Sequence, residues 1–185
     1  GVSDAQLTEK GAEQAKVKGA EMGQLLTNRG LNADLAPVLD LQTQNGFMSA
    51  SQRVWSSDPA RVVANAGAWA EGLKSKGITP TYKHFPGIGK LTQNTDEGKP
   101  AAVSLADLTE DLKPFRELAN KHGGAVMLSN GYVAEWGEEP VGINNKAVEY
   151  LKNDIKFGGT IMTDALNVLD KHAAKYNLST AVVAA

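Results

Sequence analysis

Apolar residues along the chain switch repeatedly between helical and strand-like spacing. Over Thr8–Asn28 they recur every three or four residues, as on one face of a helix, and Gly30 fits the position just past its end. Asp58 followed by Pro59 is typical of a helix start. Similar spacing predicts a helical pair that contains Pro114, and then a helix over Asn145–Asp154.

Four short apolar runs separate these helices and are interpreted as strands, at 31–41, 78–85, 125–129 and 157–163. Glycine or proline lies between each predicted helix and the neighbouring strand. Alternation of helix and strand is typical of parallel βα units, so the predicted fold class is α/β.

Every predicted strand ends in polar residues. In parallel α/β folds the carboxyl ends of the strands build the functional site, because a strand fixes the side chain while the loop beyond it leaves room for a ligand. Taken alone, an Asp after a strand is more often a cap or turn residue. The polar residues at the four ends are Asp40, then Lys83 and His84, then Ser129 and Asn130, then Thr163 and Asp164.

Composition narrows the range of functions. The 19 Lys and Arg against 21 Asp and Glu give a net charge of −2, so no excess of cations favours nucleic acid. No apolar run approaches the roughly 20 residues that cross a bilayer. The chain has no cysteine, and His84, His122 and His172 are too scattered for a metal site.

Lys83 would allow Schiff-base chemistry. A lysine at the end of a barrel strand is where the amine of a Schiff-base aldolase or lyase would stand. His84 points to the opposite face of a regular strand, so both face a substrate only if the strand twists or bulges there.

Five motifs in order resemble the N-terminal barrel domain of glycoside hydrolase family 3, in particular its bacterial β-N-acetylglucosaminidase branch. Together they span about residues 7–170. The motifs are Ala36–Asp40 (APVLD), Arg53–Pro59 (RVWSSDP), Lys83–Gly89 (KHFPGIG), Ala125–Met127 (AVM) and Gly159–Asp164 (GTIMTD).

The resemblance implies a (β/α) barrel of eight strands and retaining cleavage of a terminal β-linked N-acetylhexosamine, without a metal or organic cofactor. It makes Asp164 the nucleophile and assigns sugar binding to Arg53, Lys83 and His84, with Asn130 at a further substrate position. The resemblance implies cell-wall or related glycans as substrates. The sequence leaves the location of the protein open, with an extracytoplasmic or cell-envelope one slightly favoured.

Three motifs depart from the pattern of that branch. Where its acid/base loop carries Asp-Ser-His, this chain has Asn94, Thr95 and Asp96. The second histidine of the KHFPGHG motif is replaced by Ile88, and a histidine after the Val-Met pair is replaced by Asn130.

These departures leave the proton donor open. Asp96, or its neighbour Glu97, is one candidate, since a carboxylic acid does that work in most glycosidases. A second possibility is an acid supplied by another domain or subunit. A third is a degenerate member of the family that binds carbohydrate without hydrolysing it.

The length of the chain adds one expectation. A (β/α) barrel typically needs about 250 residues, and this chain has 185 and four visible strands. We therefore expect 1–185 to be one barrel domain truncated at both ends, completed by further domains or by self-association.

Overall fold

A computed structural model describes residues 4–171, with side chains described over residues 11–169. The elements follow in the order α1 (Asp4–Thr27), β1 (Ala33–Asp34), α2 (Phe47–Ala50), α3 (Pro59–Lys74), β2 (Thr79–Phe85), α4 (Leu112–Leu118), β3 (Ala125–Leu128), α5 (Asn145–Asn153) and β4 (Thr160–Thr163). Short 3₁₀ turns lie at Ala134–Trp136, Val141–Ile143 and Leu166–Lys171.

The four strands form one parallel sheet in the order β1-β2-β3-β4. This confirms the α/β class. Because all four strands run the same way, their carboxyl ends meet at one edge, and the polar residues that end them are brought together there.

The first predicted strand is shorter than its apolar run. Only Ala33–Asp34 forms a regular ladder with β2. The chain continues alongside β2 as far as Leu39, whose N–H donates to the carbonyl of Lys83 at 2.6 Å. Pro37 has no N–H to donate, and the peptide bond before it is cis. The backbone therefore follows the sheet without a continuous ladder.

Other boundaries also differ from the sequence prediction, among them the start of α1, which lies at Asp4 and not at Thr8. The predicted pair of helices is a single helix, α4. Residues 104–111 before it form consecutive turns, in which an N–H donates to the carbonyl three residues earlier. The last strand begins at Thr160, after Gly158 and Gly159. The start of α3 is as predicted: the Asp58 carboxylate accepts from the N–H of Ala60 at 2.9 Å.

An aromatic cluster anchors the carboxyl end of β2. Phe85 is fully buried, meets Phe115 of α4 edge-on at 5.3 Å between ring centroids, and stacks on Trp136 at 6.1 Å. Such pairs add about 0.5–1.5 kcal/mol to the burial of the rings themselves. The strand end next to His84 is thus held in the core.

Helices α1 and α3 approach closely because glycine lies at their crossing. A Cβ atom at Gly19 would overlap the carbonyl oxygen of Trp69, and one at Gly72 would overlap the carbonyl oxygen of Lys16. Both obstacles are backbone atoms, which cannot turn aside as a flexible side chain can.

We expect Gly19→Ala to destabilise the protein, although alanine is favoured over glycine in a helix interior by about 1 kcal/mol. The overlap with Trp69 would force the helices apart and lower the free energy of unfolding by about 1–3 kcal/mol. Denaturant unfolding measures this, with Gln24→Ala on the exposed face of α1 as control. A Gly19→Ala variant as stable as the native protein would contradict the close approach.

Candidate active site

Asp40 is a fully buried carboxylate at the centre of the site. Its Oδ1 accepts from the N–H of Ile88 at 2.8 Å and from the N–H of His84 at 3.4 Å. Its Oδ2 lies 2.7 Å from Nδ1 of His84. A buried carboxylate is costly unless its oxygens are hydrogen-bonded, and here both are.

His84 connects Asp40 to Asp164. Because Asp40 already accepts two backbone N–H groups, it is arranged as an acceptor, and Nδ1 of His84 donates to it. The other ring nitrogen, Nε2, lies 3.9 Å from Oδ2 of Asp164. The ring is 5% exposed, so Asp40 fixes both its orientation and the nitrogen that it presents.

Asp164 follows the last residue of β4 and is the most accessible member of this set. Its backbone N–H donates to the carbonyl of Leu128 in β3, and its Oδ1 accepts from the N–H of Ala165 at 2.8 Å. The side chain is 25% exposed. One carboxylate oxygen is therefore held by backbone, while the group as a whole can be reached from outside.

Strand β2 is irregular where Lys83 and His84 lie. The pairing of β2 with β3 shifts register between Tyr82 and Phe85, and the peptide bond between Lys83 and His84 is cis. His84 lies near Asp164 as described above, and the charge of Asp164 is felt at the Lys83 ammonium. The strand is thus irregular at these two residues, as their facing one substrate would require.

Burial lowers the pKa of Lys83 from its ordinary value, and the neighbouring cation Arg53 lowers that pKa further. Three carboxylates act in the opposite direction and favour the charged amine: Asp164, Asp34 and Asp40. Arg53, Lys83 and Asp164 therefore belong to one electrostatic cluster, although Arg53 and Lys83 lie thirty residues apart in sequence.

Asn130, the fourth predicted sugar-binding residue, is fully buried at the end of β3. Its Nδ2 donates to the carbonyl of Ala165 at 3.0 Å, while its Oδ1 is buried without a hydrogen-bond partner in the described residues. In this structure Asn130 thus supports the backbone next to Asp164.

The loop that carries the candidate proton donor follows β2. Asp96 and Glu97 are exposed, whereas Thr95 between them and Asn94 is buried. Asn94 organises the turn: its Oδ1 accepts from the N–H of Asp96 at 3.0 Å, and its Nδ2 donates to Glu97 at 3.4 Å. Asp96 is therefore exposed to solvent in this structure, whereas a proton donor has to act within the sugar site.

An ion pair between Lys90 and Asp111 fixes the start of this loop. Asp111 is fully buried, and burial raises the pKa of its carboxyl while the Lys90 ammonium lowers it. Lys90 belongs to the segment just after Gly89, so the pair ties that segment to the beginning of α4.

Sequence reasoning placed Asp40 at a strand end but did not include it among the site residues. A signal was present: a carboxylate within an apolar run, with Leu39 and Leu41 on either side, is too costly to bury without a partner.

The described residues contain no group of three or more His, Cys, Asp or Glu side chains that could hold a metal ion, and His172 lies outside them. Among residues 4–171, none of the helices combines the length and apolarity needed to cross a bilayer.

Comparison with known proteins shows the family to which the chain belongs. The model of the glycosyl hydrolase family 3 N-terminal domain matches residues 4–185. The chain belongs to glycosyl hydrolase family 3. Within the family its likeness is to the β-N-acetylglucosaminidase branch, as the motifs indicated.

Curated relatives in the family include two bacterial β-hexosaminidases. LpqI of Mycobacterium tuberculosis is 30% identical over 178 residues, which are 92% of this chain and 46% of that protein. A β-hexosaminidase of Pseudomonas aeruginosa is 34% identical over 146 residues, or 77% of this chain and 43% of that protein. The chain thus spans about half the length of the curated relatives it matches.

Solved structures of the family agree with the fold. The structure of M. tuberculosis LpqI superposes with a TM-score of 0.89 at 29% identity, covering 100% of this chain and 56% of that one. A family 3 glycosyl hydrolase of Mycobacterium smegmatis gives a TM-score of 0.88 at 27% identity, covering 98% and 57%. The four-stranded parallel sheet is therefore part of a family 3 barrel.

Proposed function

We propose that the protein containing this chain is a retaining glycoside hydrolase that removes terminal β-linked N-acetylhexosamine residues, with Asp164 as nucleophile. The observation that carries this proposal is the 2.7 Å contact between Asp40 and His84, with Nε2 of His84 3.9 Å from Asp164, at the carboxyl edge of a family 3 sheet. The names of the β-hexosaminidase relatives support the sugar. Cell-wall or related glycans are the corresponding substrates.

Asp164 meets the requirements of a nucleophile. It is accessible, yet its Oδ1 is held by the N–H of Ala165. In the first step a carboxylate oxygen attacks the anomeric carbon, the glycosidic bond breaks, and an acid protonates the leaving oxygen. In the second step the conjugate base takes a proton from water, water attacks the same carbon, and the Asp164 carboxylate is released.

His84 and Asp40 position the sugar and the nucleophile. With Nδ1 engaged by Asp40, Nε2 of His84 faces the space beside Asp164, where a sugar hydroxyl would lie. Hydrogen bonds to ring hydroxyls that strengthen as the sugar distorts contribute to the rate. Lys83 and Arg53 supply further donors to the hydroxyls.

The function is tested by release of nitrophenol from a nitrophenyl β-N-acetylglucosaminide by the native polypeptide. Release above the uncatalysed rate, with β-configured N-acetylglucosamine as the first product, supports the proposal. A protein that binds N-acetylglucosamine without releasing nitrophenol would be the non-catalytic carbohydrate-binding member instead. An imine trapped by borohydride at Lys83 would point to the lyase alternative, which the family match disfavours.

We expect Asp96→Asn to lower kcat on a natural disaccharide by about 10²-fold, and Glu97→Gln to have little effect. A nitrophenyl leaving group needs little protonation, so its hydrolysis should fall much less in Asp96→Asn. Comparing the two substrates in both variants measures this. If both variants retain full activity on the disaccharide, the acid lies elsewhere, in another domain or subunit.

A further inference from the structure

The turn that follows β2 contacts two buried carboxylates, Asp40 and Asp111. Oδ1 of Asp40 accepts from the N–H groups of His84 and Ile88. The chemistry proposed above uses Asp40, but it gives Asp111 no task beyond the ion pair with Lys90. The contacts of Asp111 therefore need an explanation of their own.

Asp111 does not do what an aspartate ordinarily does just before a helix. Such a side chain usually caps the helix by accepting backbone N–H groups, but that of Asp111 makes no capping hydrogen bond to α4. Its Oδ2 is paired with the ammonium of Lys90, and its Oδ1 has no hydrogen-bond partner among the described residues. A fully buried carboxylate with one such partner is costly, so neither capping nor stability explains its presence.

Asp111 packs directly against the turn. Gly87 has a φ of +122°, and a Cβ atom there would lie 2.7 Å from Cβ of Asp111. The N–H of Gly87 donates to the carbonyl of His84 at 2.8 Å. The next residue, Ile88, supplies the N–H that Asp40 accepts at 2.8 Å. Asp111 therefore borders the short stretch of backbone that joins His84 to Asp40.

Lys90 connects Asp111 to the end of the turn. Its ammonium is paired with Asp111, and the next residue, Leu91, donates its N–H to the carbonyl of Ile88 at 3.1 Å. Burial raises the pKa of Asp111, the Lys90 ammonium lowers that pKa, and the negative charge of Asp40 raises it. The two carboxylates thus repel each other, and Lys90 offsets the repulsion. Loss of this cation would let the backbone around residue 90 shift.

We infer that Lys90 and Asp111 are positioning residues for His84. Their ion pair holds residues 85–90 in place, so that the backbone donor of this turn stays on Asp40. Asp40 in turn fixes the orientation of the His84 ring. The consequence for catalysis rests on the proposed function, whereas the orientation of the ring does not.

Nuclear magnetic resonance of the native polypeptide with isotopically labelled histidine tests the ring directly. The Nδ1–H of His84 that donates to buried Asp40 should give a downfield proton signal that exchanges slowly with water, and the signal is assigned by its loss in His84→Gln. We expect Lys90→Met to speed this exchange about tenfold, because local opening becomes easier when the turn is no longer tied to Asp111. An unchanged exchange rate in folded Lys90→Met would overturn the inference.

The neighbouring ion pair between Lys113 and Glu110 provides the matched control. Both of its side chains are exposed, and Lys113→Met makes the same chemical change as Lys90→Met. Lys113→Met should leave the His84 signal as in the native protein. Lys90→Arg keeps a cation near Asp111 and should also retain the native exchange rate. Equally fast exchange in Lys113→Met and Lys90→Met would contradict a specific role of the buried pair.

A double variant keeps the inference testable if Lys90→Met alone does not fold. Lys90→Met with Asp111→Asn removes both charges and leaves no buried ion without its partner, so it is expected to fold. A thioether cannot donate to the amide, so the tie between residues 90 and 111 is still missing and the faster exchange should persist. A native exchange rate in this double variant would overturn the inference.

Steady-state kinetics then measures the consequence for catalysis. On a nitrophenyl β-N-acetylglucosaminide, Lys90→Met and the double variant should lower kcat about tenfold, as a small misplacement of a site residue does. Lys90→Arg and Lys113→Met should keep the native kcat. A native kcat in a variant whose His84 proton exchanges faster would overturn the catalytic part of the inference. If the native protein releases no nitrophenol, the proposed function fails, and the exchange measurement still decides whether the pair positions His84.

Discussion

Replacing Asp164 with asparagine is expected to lower kcat on a nitrophenyl β-N-acetylglucosaminide by a factor on the order of 10⁴ or more, as removal of a nucleophile does in other enzymes. The amide is nearly isosteric and its oxygen can still accept from the N–H of Ala165. The fold should therefore be retained, and the loss should fall on kcat. Steady-state kinetics measures the effect, and circular dichroism confirms the fold.

Two further variants separate chemistry from structure. Asp154→Asn, at an exposed carboxylate next to α5, should leave the rate unchanged. Asp164→Gly should regain activity when azide is added, with a glycosyl azide of inverted configuration as product, because azide then attacks the anomeric carbon directly. Full activity in Asp164→Asn would remove Asp164 as nucleophile.

Replacing Asp40 with asparagine should lower both the stability of the protein and its activity. An amide at this position presents an N–H₂ group where the carboxylate now accepts from His84 or from the N–H of Ile88. One donor then faces another in a buried place, which costs about 1–3 kcal/mol of stability. The His84 ring also loses its fixed orientation, and such misplacement lowers kcat by about a hundredfold.

Asp58→Asn is the matched control, since it makes the same chemical change at an exposed helix cap, where Asn caps as well as Asp. Thermal unfolding and kcat/KM should be measured on both variants. If Asp40→Asn is stable and fully active, the hydrogen bond between Asp40 and His84 does not position the ring.

The sequence predicted the elements whose causes are local. Helix α3 begins where the pattern placed it because Asp58 caps it and Pro59 suits its first turn, and both effects act within a few residues. Likewise α1 and α5 follow from apolar spacing. The parallel order of the strands followed from their alternation with helices.

Features that depend on distant partners were not predictable in the same way. The side to which Lys83 and His84 point depends on how β2 pairs with β3, and that register shift is set across strands.

Part of the candidate site could be proposed from the sequence: Asp164, Lys83, His84 and Arg53 came from their positions and from the family motifs. The structure places Nε2 of His84 3.9 Å from Oδ2 of Asp164, and the charges of Arg53 and Asp164 both act on the pKa of Lys83. The roles of these residues stay predictions. The role of Asp40 required its partner to be known, because its burial is understandable only once His84 and the N–H of Ile88 are seen to contact it. The proton donor stays a prediction, with Asp96 and Glu97 both exposed.

The most direct test of Asp164 as nucleophile is covalent trapping. A fluorinated N-acetylglucosaminyl fluoride forms the glycosyl–enzyme quickly and releases it slowly, so the intermediate accumulates. After peptic digestion and mass spectrometry, we expect one added sugar on the peptide that contains Gly159–Asp164, with fragmentation placing it on Asp164 and no adduct in Asp164→Asn. An adduct on another carboxylate, or hydrolysis of the reagent with no adduct on any peptide, would contradict the assignment.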